Sequence, residues 1–280
     1  MASQKELDKV YDEIFDSMGF LADGYKKFSK EAIPGAWKEM KDFEMNPETD
    51  VPNKYKQLIN LAVASQIPST YCVTVYNKMA SMEGASEEEI SEAVSLASLV
   101  RRFSTFINGA GLNLETFKNE VDQIVTFVKG QQASGKKGAL KEIPLIETSA
   151  HAFKDMDHTL GLTPSFFRAY PEAGVAGVWR EFKELQLNPA TSIPNKYKEL
   201  IGLGVAAQIP CSYCLHFHTE ASKLHGATTG EIYETAAIAG NARHWSAAFN
   251  GLQKEYGQFE KDLEQAMKRV EQKQKTKSRL

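Results

Sequence analysis

The segment VPNKYKQLINLAVASQIPSTYC, Val51 to Cys72, returns as IPNKYKELIGLGVAAQIPCSYC, Ile193 to Cys214, with fifteen of 22 positions identical at a constant offset of 142 residues. The same offset pairs Gly19 with Gly161, Trp37 with Trp179, Gly84 with Gly226, Asn108-Gly109 with Asn250-Gly251 and Phe117 with Phe259. An ungapped self-match of that length means two copies of one unit in tandem, so any fold for this chain is built twice from one pattern. The copies are read as 1–129 and 142–280. Residues 130–141 (GQQASGKKGALK) between them are polar and glycine-bearing without apolar period, which reads as a linker.

Both copies read as all-α, because apolar residues recur at three and four and alternating β-branched runs are missing. In the second copy Tyr197, Leu200, Ile201 and Gly204 form one stripe of a helix starting after Pro194 and stopping near Ile209. The next helix starts at Pro210 and ends at His225-Gly226, with glycine as the left-handed cap. Thr228 to Glu231 and its counterpart Ser86 to Glu89 are capping boxes. A final helix is expected from about Leu252, running into a polar tail from Lys268. Trp37 and Trp179, being equivalent, are read as core anchors, and Trp245 with His244 as core packing or as a wall of the pocket.

Composition excludes several partners. With 33 Lys and Arg against 36 Asp and Glu, the net charge of −3 offers no basic surplus for nucleic acid. No stretch approaches the roughly 18 apolar residues of a membrane span, and Met1 to Asp16 lacks the apolar run of a signal peptide. Three cysteines do not make a disulfide scaffold and point to a reducing, cytoplasmic setting. Ser278-Arg279-Leu280 approximates a peroxisomal address, which would matter only in a eukaryote.

What one copy has and the other lacks locates the chemistry. Glu199, Cys211, His216 and His218 stand opposite Gln57, Ser69, Thr74 and Tyr76, while Cys214 stands opposite Cys72. Scaffold positions match and titratable ones do not, as expected of a site kept in the second copy and degenerate in the first. Cys211, Cys214 and His218 fall at i, i+3 and i+7, on one helix face that His216 does not share. In the first turn of its helix, Cys211 would be held as a thiolate by unpaired N–H groups and the dipole. His218 is placed to relay a proton and Glu199 to orient the imidazole. Three uses of these atoms remain open: a redox dithiol, a zinc site lacking an evident fourth ligand, and inert core cysteines. Cys72 is read as a packed small hydrophobe or a vestigial thiol.

Glu199, Cys211-Ser-Tyr-Cys214, His218 and the downstream Asn250-Gly251 together resemble the AhpD-like (alkylhydroperoxidase D-like) branch of the carboxymuconolactone decarboxylase superfamily. The resemblance implies all-α units assembled as trimers or hexamers, hence a homotrimer for a tandem chain. It further implies a thiol-dependent peroxidase without bound cofactor or metal. Cys214 would form the sulfenic acid, Cys211 would resolve it, and Glu199 and His218 would relay protons. The implied partners are an organic hydroperoxide or a peroxiredoxin, with an external dithiol such as lipoyl-protein as reductant. Tyr213 departs from the histidine usual in close AhpD proteins. The alternatives are a decarboxylase-type acid–base enzyme using His218 and Glu199, a redox sensor, and a zinc-stabilised assembly protein.

Overall fold

A computed structural model describes residues 2–67, 69–134, 145–252 and 255–277. The expected linker from residue 135 onward and the tripeptide Ser278-Arg279-Leu280 lie outside the described residues. The first copy forms α1 (Gln4–Met18), α2 (Asp23–Lys27), α3 (Ile33–Glu39), α4 (Asn53–Ser65), α5 (Thr70–Met82), α6 (Glu87–Gly109) and α7 (Leu114–Ala133). The second repeats the series as α8 (Ser149–Leu160), α9 (Ser165–Ala169), α10 (Glu172–Glu181), α11 (Asn195–Gln208), α12 (Ser212–Leu224), α13 (Thr229–Leu252) and α14 (Tyr256–Lys277). A single π turn prolongs α3 over Met40–Glu44 and α10 over Phe182–Gln186. No strand occurs among the described residues, as the apolar periodicity required.

Local chemistry sets the helix limits. Both capping boxes form: Thr228 N–H donates to Glu231 at 2.8 Å, and Ser86 N–H donates to Glu89 at 3.0 Å. Gly84 and Gly226 both take φ of 83°, the left-handed conformation that stops α5 and α12. Three boundaries differ from the sequence reading, one of them the start of α12 at Ser212 rather than Pro210. Helix α7 carries Gly130 to Ala133, assigned above to the linker, because i−4 hydrogen bonding tolerates one glycine. The last helix starts at Tyr256, since α13 runs on through Leu252.

The sequence did not reveal how the copies are joined. Helices α4, α6, α11 and α13 pack together centrally, and beyond them each copy's last two helices cross into the other's territory. One apolar core combines Leu99 to Val125 of α6 and α7 with Ile146 to Phe182 of the second copy. The other gathers the first copy's α1 and α3 with Trp245, Phe249, Phe259 and Leu263 of α13 and α14. Each lobe thus joins the first five helices of one copy to the last two of the other. Tyr55 and its counterpart Tyr197 stack at 3.5 Å where α4 meets α11, marking the pseudo-twofold centre.

Buried carboxylates lock the crossing. Glu92 on α6 accepts from Ile193 N–H at 3.0 Å and Thr191 Oγ1 at 2.5 Å, and pairs with the buried ammonium of Lys198 at 3.3 Å. Its counterpart Glu234 on α13 accepts from Val51 N–H at 3.1 Å and Thr49 Oγ1 at 2.5 Å, facing Lys56 at 3.6 Å. Within each lobe a tryptophan is pinned the same way: Trp179 Nε1 donates to Asp155 at 2.7 Å and Trp37 Nε1 to Glu13 at 3.2 Å. Both indoles are buried, as expected of core anchors.

Removing one member of a buried pair leaves the other charge uncompensated, typically at about 3–5 kcal/mol. Glu92→Ala is therefore expected to lower unfolding free energy by about that amount in urea titration. A change below about 0.5 kcal/mol, as for ordinary surface substitutions, would remove Glu92 from the interlock.

Candidate active site

The second lobe brings together the four residues singled out from sequence. Helix α12 begins at Ser212, two residues after the expected start, so Cys211 is its N-cap and precedes its first turn. There the Cys211 Sγ accepts the N–H of Cys214 at 3.3 Å, the role that Ser69 Oγ plays for Cys72 N–H at 3.4 Å in the other lobe. Cys214 and His218 follow on the buried face of α12. Glu199, buried on α11, shares a 2.8 Å hydrogen bond with His218 Nδ1, leaving Nε2 as the second imidazole nitrogen. His216 lies off this face, 3.1 Å from Asp122.

Other residues hold these groups in place. Gln186, at the end of the π turn, donates to Glu199 Oε1 at 2.8 Å. The π turn widens the helix where that amide enters, a common use of such turns at functional sites. A Cβ at Gly202 would stand 2.3 Å from His218 Cε1, so this position on α11 must be glycine for the ring to lie there. The hydroxyl of Tyr213 donates to Leu112 O and its ring packs edge-on to Phe117 at 5.4 Å, fastening α12 to the turn between α6 and α7.

The dithiol is completed from the opposite copy. Asn108 Nδ2 on α6 donates to Cys211 Sγ at 3.5 Å and to Ser104 O at 2.8 Å, while Ser104 acts on both sulfurs. The resemblance pointed instead to Asn250. Asn250 belongs to α13, whose far end packs in the first lobe, so its equivalent Asn108 serves the dithiol. The same exchange moves Trp245 away from the dithiol: it packs on Tyr25 at 5.1 Å in the first lobe, and Phe103 takes its place at the live site. Ser104 and Asn108 were missed because self-comparison shows which helices are equivalent, not which core each one enters.

The two thiols divide one proton unequally. The hydrogen bond from Cys214, helped by Ser104, the Cys214 N–H and Asn108, outweighs burial and lowers the Cys211 pKa to about 5. The same hydrogen bond, with burial and the neighbouring thiolate, pushes Cys214 far above the ordinary thiol range. At rest Cys211 carries the charge. Cys214, however, is the sulfur lining the large cavity, together with His218 and Glu199.

The first lobe shows the same frame closed. Its cavity is about 30 Å³ against about 950 Å³ in the second, with Tyr25, Tyr76, Trp245 and Phe249 in the space. The acid and amide have also changed places: Gln186 and Glu199 correspond to Glu44 and Gln57. Burial raises Glu44 to about 8, and its carboxyl accepts from Asn60 at 3.0 Å and from Asn241. Burial also pushes the Cys72 thiol up, leaving a packed, unreactive cysteine. Among the described residues no three His, Cys, Asp or Glu side chains converge as a metal-ligating group.

An all-helical tandem repeat with a buried dithiol beside a glutamate–histidine pair defines the class, and sequence comparison gives the family. The carboxymuconolactone decarboxylase family pattern matches twice, over residues 31–111 and 173–253, and the chain belongs to that family. In fold it is similar to the crystal structure of a "putative gamma-carboxymuconolactone decarboxylase subunit" from Burkholderia xenovorans. That similarity has a TM-score of 0.55 at 15% identity, over 87% of this chain and 94% of that one. No protein of curated function matches the chain. Among the described residues no helix is long and apolar enough to cross a membrane.

The thiolate assignment predicts that the ultraviolet thiolate absorbance of the reduced protein rises with pH through an inflection near about 5 that is lost in Cys211→Ser. Cys214→Ala should move that inflection upward by more than Asn108→Ala does, since the Cys214 hydrogen bond is the larger cause. Absorbance titration of the wild type and these variants checks this, and a first inflection at the ordinary thiol pKa of about 8.5 would refute it.

Proposed function

We propose that the second lobe is an AhpD-like thiol peroxidase site in which Cys214 attacks a hydroperoxide and Cys211 resolves the product. The observation carrying this reading is a pair of cysteines one helical turn apart, Cys211 Sγ accepting from Cys214 N–H and Asn108 Nδ2, with Cys214 opening on a cavity beside the hydrogen-bonded Glu199 and His218. Cys214 passes its proton to the Cys211 thiolate along their hydrogen bond and becomes the nucleophile. Its sulfur attacks the distal peroxide oxygen, the O–O bond breaks, and the alkoxide leaves as alcohol after taking the proton from Cys211. The restored Cys211 thiolate attacks the Cys214 sulfenic acid, forming the disulfide and expelling hydroxide, which is protonated to water. His218, oriented by Glu199, relays protons to the departing oxygens. An external dithiol reduces the disulfide by exchange, a lipoyl group being the donor that the resemblance implies. A homotrimer belongs to the same reading.

A second reading has one observation in its favour. The buried Glu199–His218 pair facing the cavity could serve as general acid and base in a decarboxylase-type reaction, and the similar Burkholderia subunit is named a gamma-carboxymuconolactone decarboxylase subunit. The thiolate at Cys211 has no task in that scheme, so the redox reading uses more of the site.

Turnover of cumene hydroperoxide with dihydrolipoamide is expected to vanish in Cys214→Ser and to fall by about 10²-fold in Glu199→Gln, the low end of general acid–base contributions. Full peroxidase turnover in Cys214→Ser would sink the proposal. Activity on a lactone acid that survives loss of both Cys211 and Cys214 would establish the acid–base reading.

A further inference from the structure

The proposed chemistry leaves one proton to be supplied from outside. With Cys211 a thiolate at rest, the dithiol holds a single proton, and the leaving alkoxide takes it. Closing the disulfide then expels hydroxide, so the oxidative half-cycle converts thiolate, thiol, hydroperoxide and one proton into disulfide, alcohol and water. Reduction by an external dithiol returns that proton to solvent. His218 and Glu199, which hand it on, are themselves buried, so the proton reaches them only along the cavity they line.

The buried face of α12 continues past His218. Cys211, Cys214, His218, Ala221 and His225 stand at i, i+3, i+7, i+10 and i+14, one stripe of the helix. Ala221 and His225 line the same cavity as Cys214, His218 and Glu199. His225 caps the helix and is half-buried, where His218 is buried. Roughly 10 Å of helix separates the two histidines, a distance that only water can bridge, and the residue that α12 places between them is the short Ala221. In the closed lobe the same stripe is Ser69, Cys72, Tyr76, Met79 and Glu83, and Met79 lines what remains of the cavity there. The live lobe thus has a methyl group where the closed lobe has a thioether, and a histidine at the outer end of the gap.

The side of the cavity facing α11 is polar. Asn195 precedes Glu199 by one helical turn and lines the cavity with it, and among the described residues nothing donates to its buried Oδ1. An acceptor beside a carboxylate and two imidazoles meets the need of a buried water for about two to four polar partners. The way along α7, by contrast, is lined by Val121, Ile124, Val125 and Val128. Burial lowers the pKa of His225, with Glu199 opposing and Lys198 adding to the shift. At neutral pH its ring is uncharged and able both to accept and to donate a proton.

We propose that His225 is the solvent-side station of the proton relay, exchanging protons with bulk water and passing them over Ala221 to the Glu199–His218 pair. The inference rests on the peroxidase reading for the proton's destination. The route itself rests on the stripe, the gap at Ala221 and the half-buried ring.

Reduced wild-type protein mixed with cumene hydroperoxide in a weakly buffered indicator solution should take up one proton per disulfide, in step with disulfide formation followed by quenching and peptide mapping. His225→Gln, which keeps a polar side chain of similar size but does not titrate, should slow both by about tenfold or more, a smaller loss than the roughly 10²–10⁴ for a group acting on the reacting atoms. Dimedone should then trap Cys214 as its sulfenic acid, and added imidazole should restore the wild-type rate. Ala221→Met, which installs the closed lobe's side chain, tests the route independently. It should slow disulfide formation similarly without rescue by imidazole, because the block lies inward of His225. Disulfide formation at the wild-type rate in either variant, or a slowed His225→Gln protein indifferent to imidazole, would overturn the inference and leave the peroxidase reading standing. No disulfide in the wild-type protein would overturn that reading, and this inference with it.

Discussion

Glu92 and Glu234 are the contacts on which the architecture depends. Each is a buried carboxylate on the sixth helix of its copy, and each satisfies a backbone N–H, a threonine hydroxyl and a buried lysine of the other copy. Leaving any of these polar groups unpaired in the core would be costly, so the crossing of α6–α7 and α13–α14 is strongly specified. Neither lobe is the product of one repeat. The dithiol of the second copy rests against Ser104 and Asn108 of the first, and the wall over Cys214 includes Phe103 and Phe117.

The lobes share this frame and differ in what fills it. In the first, tyrosine, tryptophan and a protonatable glutamate occupy the space that the second leaves open beside a thiol and thiolate. The reversal of acid and amide between the π turn and the following helix shows how few changes separate the two. In the live lobe the carboxylate sits one hydrogen bond from an imidazole. In the closed lobe it is turned to asparagines, and burial raises its pKa to about 8. The N-cap also changes meaning with a single atom: Ser69 Oγ and Cys211 Sγ accept the same backbone N–H, but only sulfur becomes a thiolate there.

Much of this was legible in the sequence. The repeat fixed the pairing of helices, the capping boxes and glycines marked their ends, and the loss of Glu199, Cys211 and His218 from the first copy pointed to the site. The acid–amide reversal was also present at the same offset, in Glu44 opposite Gln186 beside Gln57 opposite Glu199. The exchange was not legible, because both α6 and α13 are apolar on the face they bury and either would cover either core by periodicity. Nor was the position of charge, since the preference for Cys211 arises from a hydrogen bond across the dithiol and from donors about a hundred residues upstream.

The account's central claim is that Cys211 and Cys214 form a redox pair driven by peroxide. The most direct measurement is intact mass and peptide mapping of the full protein after a small excess of cumene hydroperoxide, with and without dihydrolipoamide. The account predicts loss of two hydrogens mapped to a Cys211–Cys214 disulfide, reversed by the dithiol, with Cys72 unmodified. Both cysteines remaining reduced after peroxide would contradict it.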